Sequence, residues 1–202
     1  MAQAKEQIKS QVSRETFERL ENYEKLLRQW QERINLVSAS TLPDLWNRHF
    51  MDSFQLLNHV LAGVSRETCV DLGSGAGFPG MVLAIAGVAN MNLIESDQRK
   101  CAFLREVSRE TSAGAMIHNQ RIESVNLRAD IITSRAFADL AKTLEISAHL
   151  CHAKTEYLLL KPLDMDKELT ETTKYWYFQH EMTPSQSDPR GAILHIWDVK
   201  RK

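Results

Sequence analysis

The segment best suited to chemistry is Val70-Asp71-Leu72-Gly73-Ser74-Gly75-Ala76-Gly77-Phe78-Pro79-Gly80, which carries four glycines in eight positions. It continues a short apolar run, Cys69-Val70-Asp71-Leu72, of the kind that forms a buried strand. Glycines at a strand end permit positive φ and let a ligand approach the backbone, while a following helix turns its unpaired N–H groups toward the site. Twenty positions after Gly75 a second apolar run ends at Glu95. A carboxylate at that place can accept hydrogen bonds from both hydroxyls of a ribose, so Asp71, Gly73, Gly75 and Glu95 together describe an adenosine site.

More than one adenosine cofactor satisfies this description. Gly75-Ala76-Gly77-Phe78-Pro79-Gly80 matches GxGxxG, so NAD stays open on the pattern alone. Phase argues against it: the dinucleotide fold begins its glycines directly after the strand, and counting from Gly73 puts the third one at Phe78. Asp71 at the strand end suits the cationic amino-acid end of S-adenosylmethionine better than a pyrophosphate, which it would repel.

These residues need an α/β frame. Between helical segments recur Asn92-Leu93-Ile94-Glu95, Ala115-Met116-Ile117, Asp130-Ile131-Ile132 and Tyr157-Leu158-Leu159-Leu160. Runs too short for helices and apolar on both faces are what a buried parallel sheet demands, and their alternation with helices implies right-handed βαβ crossovers. Toward the C-terminus Trp176-Tyr177-Phe178 and Ile193-Leu194-His195-Ile196-Trp197 flank a turn-rich stretch with Pro184, Pro189 and Gly191, which reads as a hairpin with a long loop. The expected architecture is a mostly parallel, seven-stranded, Rossmann-like sheet closed by an antiparallel hairpin, as in class I S-adenosylmethionine-dependent methyltransferases.

Ahead of the sheet, Phe17, Leu20, Tyr23, Leu27, Trp30 and Ile34 recur at steps of three or four, which predicts an amphipathic helix over 13–34. Pro43 suits the first turn of a second helix, with Trp46, Phe50, Phe54 and Leu57 on its buried face and Gly63 ending it. One domain is expected, with residues 1–62 as a helical cap and 63–202 as the catalytic core.

Composition narrows the class without naming a function. At 43% hydrophobic and 25% charged, the chain is ordinary globular protein. Its 25 Lys+Arg against 26 Asp+Glu give a net charge of −1, so attraction to a polyanion must come from a local patch. Arg99, Lys100, Arg105 and Arg109 crowd one helix, but Glu106 and Glu110 alternate with them and a solvated face explains them equally well. Cys69, Cys101 and Cys151 fit neither a disulfide framework nor a CxxC zinc site, and read as buried thiols with no metal. The N-terminus lacks a signal-like apolar stretch, and no run of about 18 apolar residues occurs, so a cytoplasmic protein without a membrane partner is expected.

The chain resembles the RsmG (GidB) methyltransferases, which modify guanine-N7 in the 16S ribosomal RNA of the small subunit. The resemblance spans nearly the whole chain. It rests on Asn35-Leu36-Val37-Ser38, Arg48-His49-Phe50-Met51-Asp52-Ser53, Asp71 through Gly80, Glu95-Ser96 with Arg99-Lys100 and Phe103-Leu104, Arg121-Ile122-Glu123, Ser134-Arg135-Ala136 and Leu160-Lys161. It implies S-adenosyl-L-methionine as cofactor, held by Gly73, Phe78, Ile122, Glu123 and Arg135 with Glu95 at the ribose, and 16S ribosomal RNA or the small ribosomal subunit as partner of a monomer. It gives Arg135 a donor role toward base or phosphate, His49 a substrate role beside Arg48, and Lys161 a point charge toward the RNA. The family commonly follows that lysine with glycine. Pro162 stands there instead and restricts Lys161 to extended conformations.

The implied chemistry makes modest demands. Methyl transfer from a sulfonium is an in-line displacement in which positioning supplies most of the catalysis, and guanine-N7 carries a free lone pair that needs no prior deprotonation. Asp130-Ile131-Ile132-Thr133-Ser134-Arg135 contains neither a cysteine nucleophile nor the Asn-Pro-Pro-Tyr type of motif used on exocyclic amines. A small-molecule methyltransferase, an NAD-dependent oxidoreductase and a non-catalytic RNA-binding module remain alternatives on the same fold.

Overall fold

The computed structural model describes residues 2–62 and 68–202, so the expected helix stop at Gly63 and the cap-to-core boundary beside it lie outside the described residues. The N-terminal part is helical. Helix α1 (Ala2–Lys9), which the sequence reading did not anticipate, precedes α2 (Arg14–Gln31). Only Ala4 and Ile8 mark its buried side, too short a stripe to read as periodic. Ser13 caps α2, its hydroxyl accepting from the Thr16 N–H at 3.1 Å, and Phe17, Leu20, Tyr23, Leu26 and Leu27 form the buried face. Arg14–Glu18 and Glu24–Arg28 pairs lace the outer one.

The expected second helix is broken into pieces. Residues Ala39–Asp44 form a 3-10 turn containing Pro43, Trp46–Met51 a single π-helical turn, and then come α3 (Asp52–Phe54) and α4 (Leu57–Leu61). The wide π turn brings Trp46, His49, Phe50 and Met51 inward together, which one α-helical stripe could not do. Leu57, expected to be buried, is half-exposed and Leu56 is fully buried in its place.

Strands β1 (Cys69–Leu72), β2 (Met91–Glu95), β3 (Met116–Asn119), β4 (Ala129–Arg135), β5 (Cys151–Pro162), β6 (Trp176–Pro184) and β7 (Gly191–Arg201) form one sheet in the order β3-β2-β1-β4-β5-β7-β6. β1 to β5 are parallel, and β7 runs antiparallel to both neighbours. Helices α5 (Gly80–Ile85), α6 (Gln98–Glu110), α7 (Leu140–Ser147) and α8 (Asp166–Thr172) complete the crossovers. Alternate residues of each strand feed two apolar layers: Leu93, Ile131 and Leu158 join the cap's Leu20, Tyr23 and Phe50, while Val70, Ile132 and Tyr157 join Leu144 on the other side. Each such side chain contributes about 1.5–3 kcal/mol on burial. The hairpin strands extend to Pro184 and from Gly191, which shortens the expected long loop to residues 185–190. Cys69 and Cys101 are buried free thiols, but Cys151, at the start of β5, is only half-buried.

The strand order turns back at β1, whose neighbours are β2 and β4. In open α/β sheets such a reversal opens a crevice beyond the carboxyl ends of the strands. The glycine loop and Arg135 both stand there.

Candidate active site

Asp71 organises the loop from below. Its fully buried carboxylate accepts hydrogen bonds from Thr133 Oγ1 at 3.0 Å and from the Gly80 N–H at 3.3 Å, and so ties the end of β1 to the start of α5. Burial raises its pKa to about 6 against the opposing pull of these hydrogen bonds. Gly80 is required by contact: a β-carbon there would stand 2.7 Å from that of Asp71. Gly77 answers to the cap, since its β-carbon would lie 2.7 Å from the hydroxyl of Tyr23, which donates to Ala76 O.

Glu95 ends β2 with its side chain held by backbone: one oxygen accepts from the Gly75 N–H at 2.9 Å, the other from the Asp97 N–H at 2.7 Å. It lines a cavity of about 270 Å3 together with Gly73, Ile122, Glu123, Ile146 and Phe137. Ile122 opens the 3-10 turn after β3, and Asp97 caps α6 by accepting from the Arg99 and Lys100 N–H groups. Of the expected cofactor contacts, Gly73, Glu95, Ile122 and Glu123 meet here. Asp71, Gly75 and Phe78 do not line this cavity, and Phe78 instead packs between Tyr23, Phe50 and His49.

Arg135 ends β4 and lines a second, larger cavity of about 800 Å3 with His49, Arg48, Asp52, Lys161 and Asp188. Its guanidinium donates to His49 Nδ1 at 2.7 Å and to Arg48 O at 3.0 Å, lies 3.6 Å from an Asp52 oxygen, and stacks over Phe78 at 5.2 Å. Burial lowers its pKa, opposed chiefly by Asp52. Burial, then the charges of Arg135 and Arg48, push His49 down to about 3. The imidazole is therefore neutral: Nδ1 accepts from Arg135, which leaves the proton on Nε2, 2.8 Å from Thr41 Oγ1. Among the described residues His49 thus acts as a clamp on Arg135 rather than as a free base.

Lys161 is also fixed. Its ammonium donates to Glu168 at 2.8 Å and to Ala138 O at 2.7 Å, so helix α8 and the turn after β4 hold it in place. Pro162 does not disturb it, because β5 runs on through Pro162, paired with Gly191 of β7. The loop 185–190 closes the cavity's far wall: Asp188 pairs with Arg48 at 2.6 Å and with Arg190 at 3.5 Å, and Ser187 donates to Asp52 at 2.7 Å. The partners Thr41, Glu168 and Asp188 escaped sequence reasoning, as did Phe137. Asp52 alone carried a signal, three positions after His49 in the Arg-His-Phe-Met-Asp-Ser stretch.

A family model described as GidB, rRNA small subunit methyltransferase G, matches residues 16–193. The ribosomal RNA small subunit methyltransferase G of Paramagnetospirillum magneticum is 50% identical over 96% of this chain and 94% of its own length. That of Rhodospirillum rubrum is 48% identical over 94% of each. Among solved structures, magnesium protoporphyrin IX methyltransferase from Synechocystis, with bound S-adenosylmethionine, superposes with a TM-score of 0.57 at 11% identity. That match covers 89% of this chain and 97% of the other, and is a likeness of fold.

Proposed function

The chain belongs to the rRNA small subunit methyltransferase G family, and from that premise we propose that it transfers the methyl group of S-adenosyl-L-methionine to N7 of a guanine in 16S ribosomal RNA. The observation that carries this reading is the meeting of two unlike cavities at the carboxyl ends of β1 and β4: one with the carboxylates of Glu95 and Glu123 beside aliphatic walls, the other ringed by Arg48, Arg135, Lys161 and Arg190. The smaller cavity's donor set fits the cofactor, with Glu95 for the ribose hydroxyls, Ile122 and Ile146 against the adenine, and Gly73 for close approach. When bound, the cofactor supplies an electrophilic methyl group on a sulfonium sulfur.

The protein's own contribution is to orient and to neutralise charge. The Gly75 and Asp97 N–H groups fix the Glu95 carboxylate before a ribose arrives. Arginine commonly forks across guanine O6 and N7, but here N7 must keep its lone pair. His49 and Arg48 O each take one N–H of the Arg135 guanidinium and fix its orientation, and in this reading one of its remaining N–H groups donates to O6. No residue need remove a proton, in keeping with a His49 held neutral at its clamp. Arg48, Arg190 and Lys161 border the same cavity, where a flanking phosphate would lie. Asp71 and Phe78 serve from beneath, the first holding the loop and the second supporting Arg135.

The working unit in this proposal is a cytoplasmic monomer, one domain with residues 1–62 as cap on 63–202, bound to small-subunit RNA. No helix among the described residues is long and apolar enough to cross a membrane. The test is transfer of labelled methyl from S-adenosylmethionine to small ribosomal subunits, followed by borohydride and aniline treatment. Chain cleavage at the labelled guanine is expected. Label without cleavage rejects N7, and no label rejects the substrate class.

A further inference from the structure

The smaller cavity is too short for the whole cofactor. Its volume of about 270 Å3 falls below the roughly 300–1,000 Å3 that pockets for ligands of that size occupy. Phe137, half-buried, lines it and, together with Ala136, lines the larger cavity as well, so these two residues stand on the border between them. The ring rests on the glycine loop: a β-carbon on Gly73 would lie 2.5 Å from Phe137 Cδ2 and 3.0 Å from Cε2.

The backbone around the ring has firm anchors and one strained joint. Arg135, on one side, is bonded to the cap. Ala138, on the other, is held through its carbonyl by Lys161, and Leu140 through its N–H by Glu168. Between these anchors Ala136 sits at φ 49°, in the left-handed region that an alanine enters only at a cost. Rotation confined to Ala136 and Phe137 would therefore move the ring while leaving both catalytic cations where they are.

In-line transfer needs the reacting atoms about 3–3.5 Å apart, and no side chain can remain between them. We infer that Phe137 is a positioning residue that closes the passage between cofactor and acceptor cavities: its ring must leave Gly73 for the amino-acid end of S-adenosylmethionine to seat, and once displaced it walls the joined site so that guanine N7 faces the methyl group. The inference rests on the reading given under Proposed function and deepens it. A closed ring makes the binding-competent state a minority, so the apparent cofactor affinity is reduced by that fraction.

The experiment measures cofactor association by stopped flow for wild type, Phe137→Ala and Phe137→Leu, with thermal melts to confirm folding. It is paired with fluorine NMR of protein carrying 4-fluorophenylalanine, in which the Phe137 resonance is the one that Phe137→Leu removes. Removing the ring is expected to raise the association rate constant on the order of tenfold in Phe137→Ala and less in Phe137→Leu. Methylation kcat on small subunits should fall in both, and the Phe137 resonance should move on saturation of wild type with S-adenosylmethionine. A side chain that merely packs would change the melts and none of the other three readouts. Association rates within about twofold of wild type in both variants, or an unmoved resonance in wild type that binds the cofactor, overturn the inference alone. Wild type that binds no S-adenosylmethionine overturns the parent reading with it.

Discussion

The two cavities share a border and are built on opposite principles. The smaller cavity, to which we assign the cofactor, draws Gly73 from the loop after β1, Glu95 from the end of β2, Ile122 from the turn after β3 and Ile146 from α7, and the carboxylate of Glu95 is oriented by backbone N–H groups. The larger cavity, to which we assign the acceptor, gathers walls from the cap, β4, β5 and the 185–190 loop, and two of its cations take side-chain partners far along the chain: His49 and Arg135 are 86 positions apart, Arg48 and Asp188 140. A site held by backbone tolerates drift elsewhere in the protein. A site held by paired charges depends on every partner, because a deleted partner leaves its mate buried and uncompensated.

That contrast can be broken most severely at Arg135. Arg135→Ala is expected to lower methylation of small subunits about 100-fold or more, the scale for a lost transition-state donor, and to lower stability measurably, since Asp52 then keeps only its Ser187 and Gln55 donors. Cofactor affinity measured by calorimetry should change little, because Arg135 lines only the larger cavity. A matching loss of affinity would erase the division between the cavities. Glu95→Ala reverses the pattern. It should weaken S-adenosylmethionine binding by about 1.5–3 kcal/mol, the scale of hydrogen bonds to a charged acceptor, without altering KM for the subunit. Lys161→Met should lower kcat/KM for subunits about tenfold with cofactor affinity intact, and its melt should move too, since Glu168 loses its cation.

A further effect, on stability alone, sharpens the comparison through pH. His49 is held neutral when folded, with a pKa of about 3, against an ordinary value of 6.5, so between these limits the unfolded chain binds more protons and stability falls as pH falls. Asp71, raised to about 6 from 3.8, acts oppositely over that narrower window: there the folded state holds the extra proton, and stability falls as pH rises. The two slopes largely cancel in wild type. His49→Gln removes one of them, so between pH 6.5 and 5 wild type should lose about 2 kcal/mol relative to the variant in urea titrations. A pH-independent difference would refute the assignment of a buried neutral imidazole.

Legibility in the sequence divides along the same line. The strand at Cys69–Leu72, the glycine loop and the carboxylate at Glu95 are local patterns of backbone need, and each stands where those patterns indicate. Even so, periodicity could not tell that Asp71 turns inward to Thr133 and Gly80, because a strand-end aspartate looks the same whether it faces ligand or core. The cap was read less well. Trp46, Phe50 and Phe54 keep helical spacing while the backbone passes from a π turn into α3, since side-chain burial rather than hydrogen-bond ladder decides where they go. The partnerships Lys161–Glu168 and Arg48–Asp188 left no mark at all, because charge pairs carry no spacing rule across a tertiary fold.

The loop 185–190, drawn into the acceptor cavity by Asp52, Gln55 and Arg48, also sets an order of events during synthesis. Domains made from the N-terminus inward acquire structure as residues emerge. The last wall residue of the smaller cavity is Ile146, whereas Ser187, Asp188 and Arg190 of the larger one come more than forty positions later. A nascent chain can thus carry every wall residue of the proposed nucleoside site well before it owns the proposed place for RNA, and the larger cavity becomes whole only when the cap and the 185–190 loop have met.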